Sequence, residues 1–264
     1  MTSSAVKSGR GDDKRGEPCE AGSALLVVRF SGVYTFSTMK ELNYSDPAYN
    51  EAMSHYLAGD WEAAEPHFVD LCVKYEKSTF VRLILGNIYY SLGKLDAAIE
   101  KYQEAVFVDP EFGLAYYQLG VCFYRKGHLN RALEAFRMVA GTKQNHAMAS
   151  YYIGLINMYL GKDEQAAEGF HRFKEQSPES MIANLYLGQL KLKVKDYKGA
   201  LGPLLELVER TPQFAEVHYM LGTVYFGMHD NTRAVQCFRR ALQINPEDER
   251  SKAKLTLLTD MQFT

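Results

Sequence analysis

The sequence predicts an all-α superhelix of about six helix-turn-helix repeats followed by a C-terminal capping helix. Three observations carry that expectation. A pattern of apolar and small residues returns at a constant spacing of 34 residues with no insertion. Within each period, apolar residues fall at helical spacing on two stretches of about 14 residues. Each pair of stretches is joined by a short turn, and most periods close on a proline, which cannot continue a helix.

Taken in order, the chain opens on a segment unlike the rest. Residues 1–22 are rich in Gly, Ser and mixed charge, with almost nothing to bury, and are expected to be a disordered tail. The Arg10-Gly11-Asp12 tripeptide within it resembles an adhesion motif, but a three-residue match in a charged tail is weak. Residues 23–44 are β-prone: ALLVVRFSGVYTF (24–36) suits two short strands around Ser31-Gly32, which alone would be marginal in water. Met39 is an alternative start, since MKELNYSDPAYNEA reads as the beginning of the folded part. The interleaved charges Lys7, Arg10, Asp12, Asp13, Lys14 and Arg15 make a poor export signal.

Six units then fill 45–246, at approximately 45–78, 79–112, 113–146, 147–180, 181–214 and 215–248. The first helix of a unit reads LGNIYYSLGK (85–94) and returns as LGVCFYRKGH, IGLINMYLGK, LGQLKLKVKD and LGTVYFGMHD; EAMSHYLAGD (51–60) is an earlier copy. Gly59, Gly93, Gly127 and Gly161 mark the turn, replaced by Lys195 and His229 in the last two units. Pro110, Pro178, Pro212 and Pro246 close second helices, whereas Pro66 and Pro203 fall inside them and are expected to kink or loosen them. The first unit lacks the closing proline, and the third has Gln144 there.

Mid-helix glycines at 86, 120, 154, 188 and 222 each cost about 1 kcal/mol against Ala. Their repetition implies that a neighbouring helix comes close, with Ala64, Ala98, Ala132, Ala166, Ala200 and Ala234 as small counterparts. Large residues at Phe68, Tyr102, Phe136, Phe170, Leu204 and Phe238 would fill the remaining volume. The segment 247–264 reads as the capping helix, with an apolar stripe of Ala253, Leu257, Leu258 and Met261 under a charged face.

Composition narrows the function classes. Lys and Arg number 30 against 32 Asp and Glu, for a net charge of −2, which is no cationic field for nucleic acid. No run of 18 apolar residues exists to span a membrane. The cysteines at 19, 72, 122 and 237 lie far apart and read as free thiols, which favours a cytoplasmic location; periplasmic export is the alternative. Asn43-Tyr44-Ser45 fits a glycosylation acceptor and matters only if the chain is secreted. The seven histidines show neither HExxH spacing nor a Cys/His cluster, and no phosphate loop or GxSxG elbow occurs. Accordingly no catalytic residue, metal ligand or cofactor is expected.

The run Leu85, Gly86, Tyr89, Gly93, Ala98, Tyr102, Ala105 and Pro110, matched nearly as well by Leu221, Gly222, Tyr225, Ala234, Phe238, Ala241 and Pro246, resembles the tetratricopeptide repeat family. That resemblance implies a right-handed solenoid and a concave groove lined by first helices. Carried over slot by slot, one row of the groove is Tyr49, Leu83, Tyr117, Tyr151, Leu185 and Tyr219. A second row is Tyr56, Tyr90, Tyr124, Met158, Leu192 and Phe226; Met53, Asn87, Val121, Leu155, Gln189 and Thr223 lie between. Arg125 and Lys193 are its few charges. The patch of Tyr117, Tyr124, Met148, Tyr151, Leu155 and Met158 is the strongest candidate for contact with a partner, although such tyrosines also serve packing in this family.

The carboxylate clamp by which chaperone cofactors of the family hold a partner's C-terminus is absent. Only Asn87 matches it, with Leu83, Gln118, Met148 and Tyr152 in the remaining slots. The resemblance therefore implies a non-catalytic protein-interaction scaffold that binds an apolar or amphipathic peptide or helix. The alternative is an assembly or chaperone-type factor, in envelope assembly for instance, that self-associates or whose groove is filled by its own residues 24–36. Neither the partner's identity nor the oligomeric state is legible.

Overall fold

A computed structural model describes residues 42–140, 142 and 146–260. The expectations for the tail, the β-prone stretch up to residue 41, the start at Met39, Gln144 and Met261 lie outside the described residues. Thirteen α-helices and no strand occur among the described residues. They form six antiparallel pairs: α1 (Pro47–Ala58) with α2 (Trp61–Lys74), α3 (Thr79–Ser91) with α4 (Leu95–Val108), and α5 (Gly113–Arg125) with α6 (Leu129–Ala140). The series continues with α7 (Ala147–Tyr159) and α8 (Asp163–Gln176), α9 (Ile182–Lys193) and α10 (Tyr197–Arg210), α11 (Ala215–Gly227) and α12 (Asn231–Ile244), closed by α13 (Glu249–Asp260). Each helix packs on its sequence neighbours, so the core is a continuous seam through an all-α solenoid.

The turn inside each pair is fixed by one residue in the left-handed region. Gly59, Gly93, Gly127 and Gly161 have φ of 77°, 74°, 75° and 71°. Lys195 and His229 take the same conformation, with φ of 59° and 62°, without glycine's freedom. Asp60, Asp196 and Asp230 follow directly, and each carboxylate accepts a backbone N–H of the next helix, from Ala63, Gly199 and Arg233. Helices α4, α8, α10 and α12 stop at Asp109, Ser177, Thr211 and Asn245, the residues before the four closing prolines. Pro66 and Pro203 lie within α2 and α10, each of which continues through its proline as one helix.

The mid-helix glycines explain the closeness of the pairs. A Cβ on Gly86, Gly120, Gly154, Gly188 or Gly222 would lie 2.4–2.8 Å from Tyr102, Phe136, Phe170, Leu204 or Phe238 respectively. All five of those large side chains are fully buried. Each glycine thus makes the socket for the large residue of its own second helix, and the missing side chain is what lets the two backbones approach. In the fourth pair the small-residue contact is doubled, because Gly169 of α8 meets the backbone of Gly154.

Between pairs, aromatic stacking takes over. Tyr152 of α7 lies parallel on Phe136 of α6 with centroids 4.8 Å apart, and Tyr186 of α9 lies on Phe170 of α8 at 4.7 Å. The capping helix differs from its sequence pattern. Its inward line is Ser251, Leu255 and Leu258, while Ala253 and Leu257 face outward. The reason lies at its start, where Ser251 Oγ donates to the buried carboxylate of Asp248 at 2.7 Å and Arg250 bridges to Glu216 at 2.6 Å. These polar contacts set the rotation of α13.

Candidate interaction surface

The expected groove residues divide by what covers them. Tyr49, Leu83 and Leu155 belong to the core, at 7%, 2% and 7% exposure, and are removed from the set able to touch a partner. Leu83 belongs to the buried cluster that contains Ala98 and Tyr102, and Leu155 to the one that contains Phe170 and Leu187. In the first pair Tyr56 packs edge-on against Trp61 and Phe68, and Met53 is half-buried in the same cluster. Asn87 is satisfied internally: its amide donates to Tyr56 Oη at 3.3 Å and its carbonyl accepts from Tyr102 Oη at 2.8 Å. The guanidinium of Arg125 lies 4.7 Å over the ring of Tyr90.

The C-terminal end of the row is covered as well. Arg250 and Lys254 of α13 reach back over Tyr219 and Phe226, at 4.3 and 5.1 Å from the ring centroids. Thr223, between those two rings in the row, spends its hydroxyl on the carbonyl of Tyr219. Leu185, Gln189 and Leu192 of α9 are half-buried. Lys193 is engaged by Asp163 at 2.7 Å.

What remains is a tyrosine-rich surface on the first helices α5, α7 and α9. Tyr117 and Tyr151 pack against the phenylalanines of their own second helices, with centroids 5.8 Å from Phe136 and 6.3 Å from Phe170. Tyr152 joins them, 5.3 Å from Tyr124 and 5.5 Å from Tyr151. The hydroxyls of Tyr151 and Tyr186 approach to 3.5 Å. Val121 and Met158 are half-buried beside these rings, and Met148, 38% exposed, stands open. Tyr159 is the most open ring of this surface, at 62% exposure.

Burial raises the phenols of Tyr117, Tyr151 and Tyr152, and that of Tyr124 to about 12, with the neighbouring Tyr159 hydroxyl adding to the last. The surface therefore offers neutral hydroxyls and apolar ring area rather than charge. Tyr152, Tyr159 and Tyr186 are not among the expected contacts. Their signal was available in part, since Tyr152 and Tyr186 occupy one slot in consecutive repeats.

The thiols of Cys72, Cys122 and Cys237 are free and raised by burial, the first two to about 11, which leaves them poor nucleophiles. Two of the histidines, which lack metal-ligand spacing in the sequence, come together with a carboxylate in the fold. Glu51, His55 and His67 converge, because the tight turn at Gly59 brings α2 back beside α1. No helix among the described residues is long and apolar enough to cross a membrane.

Comparison with known proteins agrees with this architecture. Models described as "TPR repeat" and "Tetratricopeptide repeat" match residues 86–127, residues 114–141 and 148–180, and residues 215–248. No curated protein matches the chain. Among solved structures, the C-terminal part of a TPR repeat-containing protein from Cytophaga hutchinsonii is similar at 20% identity and a TM-score of 0.68, covering 81% of this chain and 89% of that one. YrrB, described as a TPR protein with an unusual peptide-binding site, aligns at 19% identity and 0.65 over 71% of this chain and 96% of its own. MamA aligns at 23% and 0.58 over 67% and 94%. At these identities the likeness is one of fold.

Proposed function

We propose, on the premise that this chain is a tetratricopeptide-repeat protein, that it is a non-catalytic scaffold holding an apolar or amphipathic peptide or helix against the tyrosine surface of α5, α7 and α9. The observation that carries this reading is the contrast along the row. Rings at the C-terminal end lie beneath Arg250 and Lys254, and Tyr90 beneath Arg125, whereas Met148 and Tyr159 stand open beside a cluster of neutral phenols. Tyrosine and methionine supply rigid and adaptable contact area respectively, with little charge to desolvate. The peptide-binding site named for YrrB supports the mode.

The test uses the full chain to select from a library of amphipathic peptides, followed by affinity measurement on Met148→Glu and Tyr159→Glu. Both positions are exposed, so the fold should tolerate the change, and a buried carboxylate facing an apolar ligand should weaken binding about 10-fold or more. Phe107→Glu, on the second helix α4, is the control. Equal affinity in all three variants would remove this surface from consideration.

A further inference from the structure

Outside the tyrosine surface, one cluster has the chemistry of a ligand site. Glu51 and His55 stand one turn apart on α1, a spacing that puts both side chains on the same helix face. His67 reaches them from α2. The two imidazoles lie face to face, with centroids 5.4 Å apart and planes within 9°. One ligand atom from each of the three side chains lies within 4.8 Å of the others. Around a tetrahedral zinc ion with bonds of about 2.0–2.1 Å, donor atoms sit about 3.3 Å apart, so modest side-chain rotation closes the set. A further carboxylate, Asp60 Oδ2, lies 3.8 Å from His55 Nδ1, in the place of the outer partners that orient metal-bound imidazoles.

We propose that Glu51, His55 and His67 bind a divalent transition ion of the zinc class and clip α1 to α2. Two imidazoles and one carboxylate favour zinc, nickel or copper over calcium or magnesium, which prefer oxygen ligands. Three protein ligands leave one tetrahedral position for water. The donors come from both helices of the first pair, so the ion cross-links the hairpin and adds its binding energy to that pair's stability. The site shares no residue with the tyrosine surface and stands or falls separately from the proposed function.

Zinc binding to the full chain is measured by competition with a chromophoric chelator, for the unaltered protein and for His55→Gln, His67→Gln and the exposed control His128→Gln. The expected result is one tight equivalent, weakened about 100-fold or more in either cluster variant and unchanged in the control. Circular dichroism confirms that each variant is folded. Imidazole proton–nitrogen spectra of the unaltered protein give an independent reading, in which zinc should shift two of the seven histidines. Uptake that survives both cluster substitutions, spectra in which other histidines move, or no stoichiometric uptake would each overturn the proposal.

Discussion

Glycine-to-alanine changes should differ in cost at two helical positions of this protein. At Gly169 in α8, a Cβ would lie 2.6 Å from the backbone nitrogen of Gly154, 2.7 Å from its Cα and 3.1 Å from the carbonyl oxygen of Ser150. These are backbone atoms, so no rotamer change relieves them, and α7 and α8 must part by about 1 Å to restore contacts near 3.5 Å. Parting them loosens the seam that buries Phe170 and Phe173. Overpacking of this kind costs about 3 kcal/mol at the upper end of its usual range, offset by about 1 kcal/mol of regained helix propensity. The net loss is about 2 kcal/mol, or about 4–8 °C in melting midpoint for a chain of this size. At Gly202 in α10 a Cβ meets no atom within 4 Å beyond its chain neighbours, of which Pro203 follows directly. There the propensity gain of about 1 kcal/mol is opposed by the crowding of a pre-proline Cβ, so the midpoint should move by no more than about 4 °C in either direction. Thermal and urea melts followed by far-ultraviolet circular dichroism on both variants decide the matter. A melting midpoint for Gly169→Ala at or above that of the unaltered protein would refute the close approach of the two backbones.

Other expectations follow from the same contacts. Ala132 is fully buried, so Ala132→Leu should overpack the α5–α6 pair and cost about 1–3 kcal/mol, read as a lower urea midpoint. Phe107 is 87% exposed, and Phe107→Ser should change stability by no more than about 0.5 kcal/mol in the same assay. Asp46 Oδ2 accepts from Lys74 Nζ and Tyr75 Oη at 2.6 Å each, which holds its carboxyl below the ordinary value and raises the Lys74 ammonium. Asp46→Asn should therefore be less stable than the unaltered protein on a plateau from about pH 5 to pH 10. The difference should fade in acid as pH drops through the depressed carboxyl value, and in base as it rises through the raised ammonium value. A melting difference that persists undiminished at pH 2 would contradict the assignment.

The repeat unit was legible because the physics inside it is local. Gly120 opposite Phe136, and a left-handed residue at position 127, are consequences of 16-residue and shorter separations that recur at fixed spacing. Contacts between units were much less so. Tyr152 occupies a helix-periodic slot that reads equally well as groove or packing, and only the stacking of one pair on the next shows it lying flat on Phe136. The cover over Tyr219 and Phe226 comes from α13, which is outside the repeat, and no periodic argument reaches it. His67 joins His55 only through the turn geometry at Gly59, so sequence spacing alone gave no reason to group them.

The seam of neighbour-to-neighbour packing has a mechanical consequence. A globular domain loaded at its termini resists until it gives way as a whole, because distant segments are interlocked. Here each helix pair is held by the pair before it and the pair after it, and the described cysteines form no disulfide to tie distant pairs together. Tension would be borne in series and released one pair at a time from the ends. Each release would free a 34-residue length of chain, about 110–120 Å when fully drawn out. Such a rod yields in even steps, keeping its remaining pairs intact while it lengthens.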